Sequence, residues 1–112
     1  TYKVAPIVSN SMDWGDADTY CSNLTLYGYT DWRMPTKDEL LQIYNDRSSI
    51  GGFNGLYYLW SSNTCEISSV GGASPFRNII VFYGSYSGQV YCYPENRGTY
   101  YGVNVRPVRI EN

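Results

Sequence analysis

The side chains that most often carry enzyme chemistry are scarce in this chain. It has no histidine among 112 residues, and histidine is the commonest general base and metal ligand. A Ser–His or Cys–His nucleophilic pair is therefore excluded. The ten Asp and Glu residues contain no pair that stands apart from ordinary solvated charges, as glycoside hydrolysis would require. We predict that the chain is not an enzyme.

The three cysteines do not form a metal-binding pattern. Cys21, Cys65 and Cys92 lie far apart, and no two of them have the CxxC spacing of a zinc knuckle. In a secreted protein, one disulfide plus one buried thiol is the simplest arrangement. We favour a bond between Cys65 and Cys92, with Cys21 as a free thiol on the inner face of a helix.

Tyrosine is the unusual component of the composition. There are thirteen Tyr, with three Trp and three Phe. Tyr gives a large contact area with few torsions to freeze and carries a hydroxyl, which favours a recognition surface. Tyr is also common in strands, so sheet packing is the other interpretation. The count alone leaves both open.

Length and charge narrow the class of protein. The chain has the size of one domain, which we take to span residues 1–112. Its net charge of −2 argues against nucleic-acid binding through a broadly basic surface, although a local basic patch stays open. No stretch approaches the ~18 apolar residues of a membrane span, so membrane insertion is not expected.

Two helices are predicted in the first half of the chain. Asp13 is placed to cap the first helix, with Asp16 in its first turn, and Gly28 suits a left-handed cap at its end. The second helix begins after Thr36, because Thr36-x-x-Glu39 is a capping box. The apolar stripe of the first helix is predicted to contain Trp14, Ala17, Cys21 and Leu24.

Strands are predicted for most of the second half. Their β-branched and aromatic content places them at residues 57–62, 78–83, 89–93 and 101–109, with an edge strand at 2–8. Turns are expected at 84–88 and 94–98, and a loop at 68–75. Helices first and strands afterwards predict an α+β domain.

Three motifs in this order resemble those of the Lcl C-terminal domain family, which is named for a collagen-like bacterial adhesin. The first begins with Trp14-x-x-Ala17 and Tyr20-Cys21 and continues as Gly28-Tyr29-x-Asp31-Trp32-Arg33-Met34-Pro35-Thr36-x-x-Glu39-Leu40. The second is Trp60-Ser61-Ser62, and the third is Val105-Arg106-Pro107-Val108-Arg109. Together they cover nearly the whole chain, and the Asp31–Thr36 block is specific.

The resemblance implies a C-type-lectin-like fold with two helices packed on a small, mostly antiparallel sheet. It also implies an extracellular or cell-surface location and a role in adhesion. The adhesin that names the family binds sulfated glycosaminoglycans as a trimer, so a glycan, including a sulfated polysaccharide, or a surface protein is the expected ligand, and a homotrimer is one expected assembly. Some similar domains are the variable proteins of diversity-generating retroelements, whose variation precedes a motif like the third one.

No cofactor is predicted, and calcium is the weaker alternative. Calcium-dependent lectins use Glu-Pro-Asn or Gln-Pro-Asp and then Trp-Asn-Asp. This chain has Pro94-Glu95-Asn96 and no counterpart of the second motif.

The residues of the family motifs are expected to build the scaffold rather than the binding site. Trp32 and Trp60 are predicted to fill the core, and Pro35 to set the chain for the second helix. Arg33 is expected to bond backbone carbonyls or Asp31. At least one of Arg106 and Arg109 is expected to form an ion pair, with Glu39 or Asp38 as its partner.

The predicted ligand-binding residues lie late in the chain, where the resemblance places the exposed surface. Aromatic faces stack on sugar C–H surfaces, and polar side chains there add hydrogen bonds. The candidates are Tyr83, Tyr86, Tyr91, Tyr93, Glu95, Asn96, Arg97, Tyr100, Tyr101 and Asn104. Those expected to be exposed are Tyr86, Tyr93, Glu95, Asn96, Arg97 and Tyr100. The alternative function is a structural or assembly module in which this Tyr-rich face is an oligomer interface.

Overall fold

The computed structural model describes residues 2–6, 9–53, 55–65 and 76–110. The loop predicted at 68–75 and residues 7 and 8 of the first predicted strand lie outside them. The elements in chain order are β1 (Tyr2–Val4), α1 (Trp14–Asn23), α2 (Lys37–Asn45), α3 (Arg47–Ile50), β2 (Tyr58–Thr64), β3 (Phe76–Val81), β4 (Val90–Pro94), a 3₁₀ turn (Glu95–Arg97), α4 (Gly98–Tyr101), β5 (Val103–Asn104) and β6 (Val108–Ile110).

The strands form two sheets. The larger sheet has the order β4-β3-β2-β5, in which β5 runs parallel to β2 and the other pairs are antiparallel. The smaller sheet pairs β1 with β6 in antiparallel fashion. Helices in the first half and a mixed sheet in the second confirm the predicted α+β class.

Both faces of the larger sheet are buried. Because successive side chains on a strand point to opposite faces, Trp60 packs with Ala17 and Cys21 of α1 on one face. Its neighbour Leu59 packs with Leu40 and Ile43 of α2 on the other. The two helices therefore cover opposite sides of β2.

Each tryptophan is anchored by a hydrogen bond to the backbone. The indole N–H of Trp60 donates to the carbonyl of Met12 at 2.9 Å, and that of Trp14 donates to Ser61 at 3.0 Å. Trp32 donates to the carbonyl of Leu26 at 3.3 Å. Trp32 and Trp60 are both buried, which confirms their predicted place in the core.

The two helix starts differ in how they are capped. Thr36 and Glu39 form the predicted capping box, with each side chain bonded to the other residue's backbone N–H. Asp13 occupies the cap position of α1 but makes no capping bond. Its carboxylate instead accepts a hydrogen bond from the backbone N–H of Thr99 at 3.0 Å, so it joins α1 to α4.

The predictions for the motif arginines are confirmed in part, because Arg33 donates to a backbone carbonyl as expected. Arg33 bonds to Glu39 and to the carbonyl of Met34, not to Asp31. Asp31 pairs with Arg109, at 2.8 Å between Oδ1 and Nε. The ion pair expected for Arg109 is thus present, but Glu39 is already held by Arg33.

Two element predictions were wrong. The first helix ends at Asn23, so Gly28 does not cap it; Gly28 lies in a hairpin turn closed by Leu26 and Tyr29. The predicted strand at 101–109 is instead the end of α4 followed by β5 and β6. Gly102 ends α4 with a positive φ of 75°, and Pro107 separates the two strands.

The cysteines take the arrangement favoured from the sequence. Cys65 and Cys92 form a disulfide, and Cys21 is a buried free thiol. Burial, followed by the charge of Asp18, raises the pKa of the Cys21 thiol to about 12. Cys21 therefore behaves as a small apolar residue of the core.

Candidate functional site

Six tyrosines form a continuous row of ring contacts that joins two strands, two neighbouring loop positions and a helix. We call them the tyrosine row. The centroid distances between consecutive members lie between 4.7 and 6.4 Å. In order of contact the members are Tyr83, Tyr57, Tyr58, Tyr93, Tyr101 and Tyr100.

The ends of the tyrosine row are exposed and its centre is anchored. Tyr83 and Tyr100 are 61% and 75% exposed, and Tyr57 and Tyr101 are also exposed. The two central members, Tyr58 and Tyr93, are half-buried and pack against the core face that holds Trp60. The row therefore presents exposed aromatic rings at its ends, while its two central rings are held in place by the core.

Burial also changes the chemistry of the central pair. It raises the pKa of the Tyr93 hydroxyl above its usual value, and a hydrogen bond with Tyr58 raises it further. Tyr93 therefore stays a neutral phenol well above physiological pH. In this state its hydroxyl both donates and accepts hydrogen bonds.

The sheet topology brings the members of the tyrosine row together. Tyr58 begins β2 and lies opposite Val81 of β3 and Val103 of β5. The carbonyl of Tyr57 accepts a hydrogen bond of 2.8 Å from the backbone N–H of Phe82. This bond places Tyr57 beside Tyr83. The short helix α4 then positions Tyr100 and Tyr101 next to the end of β5.

Tyr57 and Tyr58 were not predicted as site residues. They precede Trp60 in a predicted strand and lie about 25 residues before the segment in which binding was expected. The available signal was the doubled tyrosine at a strand start, where neighbouring side chains point to opposite faces of the sheet. The contact of Tyr57 with Tyr83 depends on the antiparallel pairing of β2 with β3, which no local pattern predicts.

Tyr86 and Tyr91 lie outside the tyrosine row. Their rings contact each other, with centroids 6.3 Å apart. Tyr86 is exposed in the turn at 84–88, and Tyr91 is half-buried on β4. The structure thus splits the predicted tyrosine cluster into the row and this separate pair.

The polar candidates also divide into two groups. Asn96 and Arg97 are exposed, and the guanidinium carbon of Arg97 lies 5.7 Å from the ring centroid of Tyr100, so Arg97 extends the row by one cation–π contact. Glu95 is held by Arg77, at 2.6 Å between Oε2 and Nε. Asn104 donates to the carbonyl of Ser9 at 2.7 Å.

The exposure predictions are partly correct. Tyr86, Asn96, Arg97 and Tyr100 are exposed, as expected. Tyr93 and Glu95 are only half-buried rather than exposed, because one supports the row and the other pairs with Arg77. The guanidinium carbon of Arg77 lies 3.7 Å from the ring centroid of Trp14, so Arg77 is held between Trp14 and Glu95.

The described residues hold neither a converging metal-ligand cluster nor a membrane-spanning helix. Within 2–6, 9–53, 55–65 and 76–110, no three His, Cys, Asp or Glu side chains come together as metal ligands would. In the same ranges, every helix is too short or too polar to span a bilayer. The chemistry that the site offers is aromatic stacking and hydrogen bonding by phenols.

The fold has a counterpart among solved structures. The chain is similar to EMS16, described as an antagonist of the collagen receptor integrin alpha2beta1, with a TM-score of 0.51 and 11% sequence identity. The match covers 96% of this chain and 86% of that one. At this identity the likeness shows the fold alone, and the fold is C-type-lectin-like. No curated protein matches the sequence.

A family model matches the sequence over almost its full length. The model is that of the Lcl C-terminal domain, and it covers residues 3–109. This range contains all three motifs, the larger sheet and the tyrosine row. The chain therefore belongs to the Lcl C-terminal domain family.

Proposed function

We propose that this chain is a non-catalytic adhesion module, located outside the cell or on its surface, that binds its ligand through the tyrosine row. The family and the lectin-like fold support a module for adhesion or ligand binding. The observation that carries the more specific proposal is the row itself: six contacting rings, exposed at both ends and anchored at the centre.

The ligand that best fits the row is a glycan. The C–H face of a sugar ring packs against an aromatic face, and phenolic hydroxyls bond to sugar hydroxyls. Asn96 and Arg97 add an amide and a cation beside Tyr100. A protein surface would use the same groups, because Tyr and Arg are the side chains enriched at binding hot spots.

A glycan array tests the proposal directly. The wild-type chain is expected to bind a defined set of glycans, and the double variant Tyr57→Ala/Tyr100→Ala is expected to lose that binding. Both residues are exposed, so the variant should keep its fold. Tyr27→Ala is the matched control, because Tyr27 is 71% exposed and makes none of the row's contacts.

The outcomes separate the two ligand classes. Binding that survives in the double variant would overturn the role of the row. If the wild-type chain binds none of the sulfated, sialylated and neutral glycans, a glycan is not the ligand. A protein ligand would then be indicated. Equal losses in the double variant and in Tyr27→Ala would show a general effect of removing exposed tyrosine.

The second candidate is an assembly role for the same surface. Exposed aromatic side chains at Tyr57, Tyr83 and Tyr100 also suit an interface between copies of the chain, with a homotrimer as the expected form. Sedimentation at micromolar concentration discriminates between the two. A monomer would contradict the assembly role, and a trimer that Tyr57→Ala/Tyr100→Ala dissociates would support it.

A further inference from the structure

A pocket of about 420 Å³ opens beside one end of the tyrosine row. Tyr83 belongs both to the row and to the pocket wall. The described residues that line the pocket are polar, glycine or aromatic, and none of them is Asp or Glu. Its main contributors are Arg47, Gly51, Gly52, Phe53, Gly55 and Tyr83.

A buried cation lies directly behind this pocket. Arg106 is 3% exposed, and its Nη1 donates to the carbonyl of Gly51 at 2.6 Å. Its guanidinium carbon lies 4.5 Å from the ring centroid of Phe53. A Cβ placed on Gly52 would come within 3.3 Å of the same Nη1. Three residues that line the pocket therefore touch the Arg106 guanidinium.

The charge of Arg106 is not balanced by a carboxylate in the described part of the chain. Arg33, Arg77 and Arg109 each pair with one acidic residue. Arg106 instead bonds to the carbonyls of Ala5 and Gly51. Carbonyl dipoles compensate a buried charge only in part, so a nearby anion would be favourable.

A second arginine on the rim of the pocket is also without an acidic partner among the described residues. Arg47 donates to the carbonyl of Tyr44 at 2.7 Å and stacks over the Tyr44 ring at 3.9 Å. The neighbouring Asp46 is engaged by the side chain of Gln42 at 2.9 Å. Two positive charges therefore adjoin a pocket whose described lining contains no acidic side chain, in a chain whose net charge is −2.

The glycines leave the backbone of the pocket open. Gly51 and Gly55 have positive φ angles of 79° and 83°, which side chains rarely adopt. At both positions no heavy atom lies within 4 Å of where a Cβ would stand. A small group can therefore approach the loop backbone between Arg47 and Phe53.

We propose that this pocket binds a carboxylate carried on a sugar-sized ring, as in a uronic acid. The planar carboxylate matches the guanidinium fork of Arg47, and the exposed aromatic ring of Tyr83 packs against the sugar ring. The volume lies within the usual range for small-ligand sites, roughly 300–1,000 Å³. This inference rests on the proposed function, because Tyr83 links the pocket to the tyrosine row.

Titration of the ¹⁵N-labelled chain with glucuronate, followed by NMR at constant ionic strength, tests the pocket by itself. Glucuronate is expected to shift the backbone amide signals of Gly51, Gly52 and Gly55 along a saturable curve. Glucose, which has the same ring without the carboxylate, is expected to leave them in place. Equal responses to the two sugars, or shifts that never saturate, would overturn the proposal.

Paired variants locate the anion. Arg47→Gln is expected to weaken glucuronate binding by about ten-fold or more, the usual worth of a charge-assisted hydrogen bond. Lys3→Gln removes another exposed cation, outside both the pocket and the tyrosine row, and is expected to leave the affinity unchanged. Equal losses in the two variants would show that only net charge matters, which would contradict a defined site.

A further variant separates this inference from the proposed function. Tyr100→Ala alters the far end of the tyrosine row and should leave glucuronate binding intact. If glycan binding survives loss of the row while glucuronate still fills the pocket, only the proposed role of the row fails. If the row variants lose glycan binding but glucuronate never binds, only the pocket is refuted.

Discussion

Arg33 and Glu39 are joined by two parallel hydrogen bonds, Nη1 to Oε1 and Nη2 to Oε2, each 2.7 Å long. The same Glu39 carboxylate closes the capping box of α2 by accepting the backbone N–H of Thr36. One carboxylate therefore secures both the specific motif block and the helix that follows it. The pair is the structural reason for the spacing between the motif arginine and the capping glutamate.

This pair predicts a loss of stability in acid. The hydrogen bond from Arg33 is the largest effect that lowers the pKa of Glu39. A lowered folded-state pKa gives stability that is present above the ordinary value of about 4.3 and is lost as the pH falls below it. Because the Arg33 side chain is 40% exposed, the contribution is no more than about 1 kcal/mol.

Urea unfolding of Glu39→Gln at neutral and acid pH checks this. Gln keeps the capping bond but removes the charge, so the variant is expected to be less stable at pH 7 and to lose less stability on acidification. Asp38→Asn, an exposed position in the same helical turn, is the control. An unchanged acid dependence in Glu39→Gln would contradict the role of the ion pair.

The crowding around Gly98 predicts that adding a single carbon there destabilises the fold. A Cβ at this position would overlap the carbonyl of Met12 and come within 2.8 Å of the Trp60 ring. Gly98→Ala is therefore expected to lower the free energy of unfolding by about 1–3 kcal/mol. Gly15→Ala is the matched control: its Cβ meets no atom within 4 Å, and it should stabilise α1 by about 0.5–1 kcal/mol. Equal effects of the two variants in thermal unfolding would show that the crowding is absent.

Tyr27 holds a left-handed conformation that tyrosine rarely adopts. Its φ is 56°, and the φ of the following Gly28 is 81°, the pair of positive angles that a tight type I′ hairpin turn requires. Asn is preferred at this position, so Tyr27→Asn is expected to raise stability by about 1 kcal/mol. Tyr86→Asn replaces another exposed tyrosine without a positive φ and should give no such gain. A decrease in the urea midpoint of Tyr27→Asn would indicate that contacts of its ring outweigh the strain.

The Tyr58–Tyr93 pair predicts a loss of stability in alkali. Burial first, and then the hydrogen bond with Tyr58, raises the pKa of Tyr93. A raised folded-state pKa gives stability that is complete below the ordinary value of about 10 and declines as the pH rises above it. Ultraviolet titration of tyrosinate should therefore show a step assigned to Tyr93 above the ordinary pKa of about 10.

Replacing Tyr93 by Phe tests whether Tyr93 is the tyrosine that ionises late. Tyr93→Phe should remove the late part of the titration. A late step that persists in Tyr93→Phe would mean that another tyrosine is the buried phenol.

Features that depend on neighbouring residues were accessible from the sequence. The capping box of Thr36 and Glu39 lies within four residues, and helical spacing alone placed Ala17 and Cys21 on a buried face. The disulfide was also anticipated, because only three cysteines had to be assigned. These predictions needed no knowledge of how distant segments meet.

Features that depend on long-range pairing were not accessible. The alternation of Val103 and Val105 favoured one long strand, yet Gly102 and Pro107 divide that segment between two different sheets. For the same reason the contact of Tyr57 with Tyr83 was missed, since it arises where β2 begins beside the end of β3. Local composition located four of the six members of the tyrosine row, and tertiary structure supplies Tyr57 and Tyr58.

The disulfide between Cys65 and Cys92 has a consequence for local unfolding. β4 lies at the edge of the larger sheet and pairs only with β3. Edge strands are usually the first to open and exchange their amide protons with solvent. Here the bond ties β4 to the end of β2 across the intervening strand. The edge strand and the turn that carries Asn96 and Arg97 should therefore exchange as slowly as the centre of the sheet until the bond is reduced.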